Sequence, residues 1–346
     1  MKVLGFRLEL SFAIGAVFFL LPQASSYAQS GAQMFSDKQI NLYIGFGYGG
    51  SYDYYGRLVA RHLGRHLPGR PTIVAQNMPG AGGIQLANFM YSVAPKDGTA
   101  LATTTQSVAT EGAIGKTGVS YKAEEFNWIG RVTDVVDVVI TWQDSRVKTI
   151  EDAKIYEFPF ASTGPGSPTD SYPRLLNGLI GTKFKIIGGY AGGAAVTLAF
   201  ERREVDSVLK SWSELSVSKP DWIEQKQINI LFQGSSKRAP YLANVPTIAE
   251  LGITPLDKQV LEFNVSGAVV GRSLMAPPGV PSDRVKALRT AFSDMVSDSA
   301  FLAEIQKAKV PLAPLSGENL QQLIAQSVNV SKEVIEVTKK LTGIKK

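Results

Sequence analysis

The chain has 346 residues, of which 44% are hydrophobic and 19% charged, with 36 Lys and Arg against 30 Asp and Glu. This is the balance of an ordinary globular protein, and the small basic excess is dispersed, which argues against the basic stripe of a nucleic-acid binder. There is no cysteine, so disulfides, thiolate metal sites and thiol nucleophiles are excluded.

The first eight residues carry Lys2 and Arg7, residues 10–21 are apolar or small, Pro22 breaks the run, and Ser26-Tyr27-Ala28 has small residues at its first and third positions. A basic start, an apolar core and a small-x-small site predict a cleaved signal peptide over 1–28 and export of the rest. The apolar run falls short of the about 20 residues that span a bilayer, and no cysteine stands near the cleavage site to carry a lipid. The remainder is long for one core, so two domains are expected.

In chain order, a strand is predicted at 40–44, then the loop Gly45-Phe46-Gly47-Tyr48-Gly49-Gly50, then a helix over 51–67 with Tyr55, Leu58, Val59, Leu63 and Leu67 on one face. A strand at 72–75 leads through Asn77-Met78-Pro79-Gly80-Ala81-Gly82-Gly83 into a helix ending near Tyr91. Strands follow at 100–104 and 135–142. A strand at 158–161 leads through the loop 162–168 into a helix ending at Ile180, and a strand at 184–187 leads through Gly188-Gly189-Tyr190-Ala191-Gly192-Gly193 into a helix ending at Arg202. Further strands are expected at 205–209, 228–232 and 265–270. Ser282 is expected to cap one late helix, and Ser316 a second that runs on to Leu341. Alternating strands and helices with short loops imply parallel sheets covered on both faces. The two clusters of Gly-rich units imply two lobes, the first from 29–132 plus 255–346 and the second from 133–254.

In open parallel sheets ligands sit at the carboxyl ends of the strands. Helix N-termini there offer unpaired N–H groups and a partial positive charge to an anion, and glycine lets the backbone come close. One such loop reads as a tight turn. Four of one kind, two per cluster, read as a binding cleft able to hold a carboxylate without any arginine.

The ordered series of motifs resembles the periplasmic substrate-binding proteins of tripartite tricarboxylate transporters, the Bug family. The matching stretches are Phe46 to Asp53 followed by Arg57, Asn77 to Gly83, Ala94-Pro95-Lys96-Asp97-Gly98, Ser162 to Ser167, and Tyr190-Ala191-Gly192-Gly193 with Val205-Asp206 beyond it. Val245-Pro246-Thr247, Ala276-Pro277-Pro278-Gly279 and the closing Gly343-Ile344 complete the series. The resemblance implies an α/β protein of two Rossmann-like lobes with a ligand cleft between them, the type II periplasmic-binding-protein architecture, closing by hinge motion. It implies a periplasmic monomer, without cofactor or catalysis. Such a protein captures a small aliphatic or aromatic mono- or dicarboxylate and delivers it to the integral membrane subunits of a transporter.

For this sequence the implied ligand contacts are Tyr48, Gly49, Gly50, Tyr52 and Asp53 from the first loop, and Gly80, Ala81, Gly82 and Gly83 from the second. Thr104 and Gln106 follow the third strand. The second lobe is expected to supply Ser162, Thr163, Gly164, Gly166 and Ser167, then Tyr190, Gly192 and Gly193, with Asp206 orienting the last loop. Asp170 stands where the family often has a His; it would repel an anion, or select a ligand that carries a donor or a positive charge. The tyrosines at 48, 52, 54 and 55 suit either stacking on an aromatic ligand or a core role.

Competing chemistry is weaker. Gly45, Gly47 and Gly50 form a G-x-G-x-x-G, but Gln76 and Asn77 stand where a dinucleotide fold needs an acid. His62 and His66 lie one helical turn apart without the Glu of an H-E-x-x-H or a third ligand, and with Arg61 and Arg65 beside them they read as a solvated basic face rather than a zinc site. Gly115-Lys116-Thr117 ends like a phosphate loop, but Thr110 replaces its first glycine. No G-x-S-x-G elbow occurs. Two alternatives stay open: a ligand sensor for a signalling receptor, and a periplasmic hydrolase or isomerase using Asp53 and Asp170 as acid and base.

Overall fold

A computed structural model describes residue 1 and residues 34–115 and 118–343; residues 2–33, which hold most of the expected leader, together with Lys116, Thr117 and 344–346, lie outside the described residues. In chain order the strands are β1 (Gln39–Ile44), β2 (Thr72–Asn77), β3 (Ala100–Thr103), β4 (Asn127–Thr133), β5 (Asp137–Trp142), β6 (Phe158–Ala161), β7 (Phe184–Ile187), β8 (Ser207–Ser211), β9 (Ile228–Gly234), β10 (Arg272–Ala276) and β11 (Leu315–Ser316). The first helices are α1 (Ser51–His62), α2 (Ile84–Ser92), α3 (Val108–Ile114), α4 (Ile150–Ile155), α5 (Pro168–Ile180), α6 (Gly193–Glu201), α7 (Trp212–Ser218) and α8 (Pro220–Glu224). They are followed by α9 (Pro255–Val265), α10 (Ser282–Ser297), α11 (Ser299–Ala308), α12 (Gly317–Ser327) and α13 (Lys332–Leu341).

The strands form two sheets, ordered β11-β4-β10-β3-β1-β2 and β7-β6-β8-β5-β9. In the first, β1 runs parallel to both β2 and β3, while β10 is antiparallel to β3 and β4. In the second, β6 runs parallel to β7 and β8, and β5 is antiparallel to β8 and β9. Strand β1 buries Ile40, Leu42 and Ile44 on one face against Leu58 and Val59 of the amphipathic α1, the period-two and helical patterns meeting in one core. In the second sheet Phe158, Phe160 and Phe232 pack with Tyr172, Leu175 and Leu176 of α5.

The chain passes from the first sheet to the second over 134–136 and returns over 266–271. The two crossing segments are hydrogen-bonded, Val135 N–H to Ala268 O at 3.2 Å. The return is therefore later than the expected 255. Helices α9 and α13, assigned to the first lobe by the expected division, bury Val260, Leu261, Phe263 and Val334 in the core of the second sheet. The strand expected at 265–270 is instead the end of α9 and a 3₁₀ turn. A capping box between Thr254 and Asp257, with Pro255 in the first turn, drives the chain helical there, and β10 starts only after Gly271, whose φ is +56°. The single helix expected from 316 to 341 is two, because Ser331 caps a fresh start by accepting from Val334 N–H. Ser282 is the first residue of α10 rather than its cap, which is Pro281. On the expected basic face Arg61 and Arg65 are exposed, but His62 is buried, its Nε2 lying 2.6 Å from Glu304 Oε2 and its ring edge-on to Phe301.

Phe160 is fully buried in β6, immediately before the loop 162–167. Phe160→Ala is expected to lower stability by roughly 3–5 kcal/mol through the cavity it leaves, read as the loss in unfolding free energy in urea.

Candidate functional site

The Gly-rich loops at the ends of β1, β2, β6 and β7 bring the two lobes into direct contact. Gly47 N–H donates to Ala191 O at 2.9 Å. Gly82 has φ +64°, and a Cβ there would lie 2.8 Å from Pro165 O and 2.9 Å from Gly164 O, so a side chain would force the lobes apart. Thr105 Oγ1 donates to Gly166 O at 3.2 Å.

Behind these contacts lies a small cavity, of about 70 Å³, that opens to solvent. The first lobe lines it with Phe46, Gly50, Ser51, Tyr52, Gln106 and Arg272; the second with Asp137, Thr163, Ser167, Pro168, Thr169, Gly193, Leu209, Lys210, Ser211 and Glu214. A second opening, lined by Gly45, Phe46, Pro79 to Gly82, Thr163 to Pro165 and Gly189 to Ala191, lies along the same seam.

The floor of the cavity is a polar chain built on the crossing segments. Arg272, the first residue of β10, is 5% exposed. Its Nε and Nη2 donate to Ser51 Oγ at 3.1 and 2.7 Å, and its Nη1 donates to Gln106 Oε1 at 3.1 Å. Its guanidinium lies 3.9 Å from the centroid of the Tyr52 ring, which stacks in turn on Phe46, a cation–π arrangement. Gln106 turns its amide nitrogen to Asp137, Nε2 to Oδ2 at 2.7 Å. This bond joins the lobes, because Asp137 opens β5 of the second sheet.

Asp137 is 3% exposed. Burial pushes its carboxyl up to about 6; the Arg272 charge and the Gln106 hydrogen bond pull it back, and the Glu214 charge adds to the rise. Lys210 is also buried; its ammonium donates to the Glu214 carboxylate, to Thr197 Oγ1 at 2.6 Å and to Gly193 O at 3.4 Å. Among the described residues Arg272 forms no ion pair, so its charge is balanced only at a distance by Asp137.

Of the residues expected from the sequence, Gly50, Tyr52, Gln106, Thr163, Ser167 and Gly193 line the cavity, and Gly80, Ala81, Gly82, Gly164 and Tyr190 line the second opening. Others support the loops from behind. Thr104 Oγ1 donates to Gly83 O, and Ser162 Oγ accepts from Gly164 N–H. A Cβ on Gly192 would lie 3.2 Å from Gly47 N, so this glycine allows the close contact of the lobes.

Gly49, Gly83 and Gly166 also lie outside both openings, and so do the remaining four, Asp53, Asp170, Asp206 and Tyr48. Asp53 accepts from Gly49 N–H, Arg57 Nε and Asn77 Nδ2, tying the first two loops together. Asp170 is buried in α5 and paired with Arg174 at 3.0 Å. Asp206 is exposed just before β8, and Tyr48 is 72% exposed beneath the Arg57 guanidinium. The carboxylates that do face the cavity, Asp137 and Glu214, were missed, as were Lys210 and Arg272. The cavity thus holds an arginine, which the loops alone did not lead one to expect.

Two lobes with a lined cleft at the crossover are now established, and the family comparison agrees with that geometry. Residues 56–339 match the family model described as the tripartite tricarboxylate transporter family receptor. The chain belongs to that family. A "UPF0065 protein in gbd 5'region" of Cupriavidus necator is 27% identical over 336 residues, covering 93% of this chain and 94% of that one. Among solved structures, this receptor resembles the periplasmic binding protein BugD (TM-score 0.70, 22% identity, 90% of this chain and 99% of that one). It also resembles MatC from Rhodopseudomonas palustris with bound malate (0.67, 20%, 87% and 98%) and an R. palustris protein with adipate (0.64, 21%, 88% and 97%). The shared fold is the two-lobed one of periplasmic binding proteins. Among the described residues of this receptor no helix is long and apolar enough to cross a membrane.

The raised carboxyl of Asp137 has a consequence for stability. Between the unfolded value of about 4 and about 6, the folded state holds a proton that the unfolded chain has lost. Stability contributed by the neutral form is therefore present below that window and is lost as pH rises through it. Asp137→Asn is expected to stabilise the ligand-free protein by roughly 1–3 kcal/mol near neutral pH and by almost nothing near pH 4. Thermal melts across that range check this, and parallel pH profiles for the two proteins would contradict it.

Proposed function

We propose that this receptor captures a small organic acid in the cavity between its lobes and hands it unchanged to the membrane subunits of a tripartite transporter. The observation that carries this reading is Arg272, a buried guanidinium facing the cavity without an ion-pair partner among the described residues. A buried cation wants a counter-ion, and the planar fork of arginine matches a carboxylate in two-pronged contact. The acid's other contacts are drawn from the main chain of Gly50 and Gly193 and the hydroxyls of Thr163, Ser167 and Thr169. The ligands named for the malate and adipate complexes of the fold relatives are acids too.

On this reading the protein works in the periplasm as a monomer, after loss of residues 1–28. Its lobes close by rotation about the paired crossing segments 134–136 and 266–271. Binding without catalysis fits the employment of Asp53 and Asp170, each held by structural partners outside the cavity.

Calorimetric titration of the exported protein with a panel of carboxylic acids tests the proposal. One or more acids should bind and be recovered unchanged. Arg272→Gln should weaken that binding by roughly 100-fold, the scale for truncating a buried charge partner, while the thermal melt stays cooperative. Binding that survives the substitution, or turnover of the acid, would overturn the reading.

A further inference from the structure

The charged groups around the cavity point to the kind of acid, on the premise that an acid is what binds. Four charged side chains line it: Arg272, Lys210, Asp137 and Glu214. The three protons of the Lys210 ammonium are taken by Glu214, Thr197 Oγ1 and the Gly193 carbonyl, so this cation is already neutralised and saturated. Arg272 alone among these four keeps N–H groups beyond those given to Ser51 and Gln106. One carboxylate can therefore be matched by a cation.

A second carboxylate would meet the opposite environment. Asp137 lies one glutamine side chain from Arg272, bonded through Gln106. Around it stand Arg272 on β10, Glu214 on α7, and the phenols of Tyr52 on α1 and Tyr172 on α5. Of these only Arg272 is positive, and it is the partner of the first carboxylate. Two anions brought together away from water repel strongly, and desolvation adds to the cost. We propose that Asp137 makes the site selective for acids with a single carboxylate and excludes dicarboxylates. Rejection is by like charge rather than by size, a specificity element of the repulsive kind. The end of the ligand near Asp137 is then neutral or a hydrogen-bond donor, such as a hydroxyl or an amine.

The test is a set of titrations at about pH 7.5 with chain-matched pairs, butyrate with succinate and hexanoate with adipate, on the native sequence and on Asp137→Asn. The native protein should prefer the monocarboxylate of its best pair by about 100-fold, the scale of a misplaced like charge, and the substitution should cut that preference by about tenfold or more. Equal or tighter binding of the dicarboxylate by the native protein, or an unchanged preference in the variant, would overturn the proposal while leaving the capture of acids intact. Should the variant fail to fold, the native protein supplies the second reading. Lowering the pH from about 7.5 to about 5.5 protonates Asp137, so the preference for crotonate over fumarate, a chain-matched dicarboxylate that stays doubly ionised in that range, should narrow; a flat ratio would overturn the proposal. If no carboxylate of either kind binds, both this inference and the proposed capture of acids fail.

Discussion

A guanidinium withdrawn from water without a carboxylate beside it has to be held by other means, and the centre of this protein is arranged around that constraint. Arg272 is held by the Ser51 hydroxyl, the Gln106 carbonyl and the face of Tyr52. Each of these comes from the first lobe, and each is fixed by something further out. Ser51 opens α1 directly after the Gly49-Gly50 turn, and the Tyr52 hydroxyl accepts from Gln106 N–H at 2.8 Å. Only Gln106 reaches across to the second lobe, through Asp137. Charge, lobe contact and cavity floor thus meet in one chain of side chains at the place where the polypeptide crosses between sheets.

The glycine loops are where the two lobes meet. Gly82 against the 164–165 carbonyls, and Gly47 and Gly192 against each other, are positions where backbone meets backbone. The carboxylates Asp53 and Asp170 are each spent inside their own lobe, Asp53 joining the 49, 57 and 77 positions and Asp170 holding Arg174.

Much of the architecture was legible in the residues. Short apolar strands followed by Gly-rich turns and amphipathic helices identified the βα units of both lobes, because burial periodicity and backbone permissiveness are local properties. The return crossing was not legible in the same way. Val265, Val269 and Val270 look like strand, but a capping box at Thr254 and Asp257 starts a helix that runs to Val265 and passes into a 3₁₀ turn, and tertiary packing decides such apolar stretches. The site was half legible. Loop residues such as Gly50, Thr163 and Gly193 follow from where parallel sheets present their strand ends. Arg272, Asp137 and Lys210 carry no motif. Each is a single charged residue within or at the edge of a strand, and only the three-dimensional crossover brings residues so far apart in sequence to one floor. The Lys210–Glu214 spacing was the one available signal, a charged pair at a strand-to-helix junction with no reason to be buried unless it faced something polar.

The most direct measurement is a crystal structure of the protein with an organic acid bound. The account predicts carboxylate oxygens at about 2.7–3.0 Å from the Arg272 guanidinium, with Gln106 still joining the lobes through Asp137. An acid seated on Lys210 or among the loops of the second opening, with Arg272 still held only by Ser51 and Gln106, would contradict it.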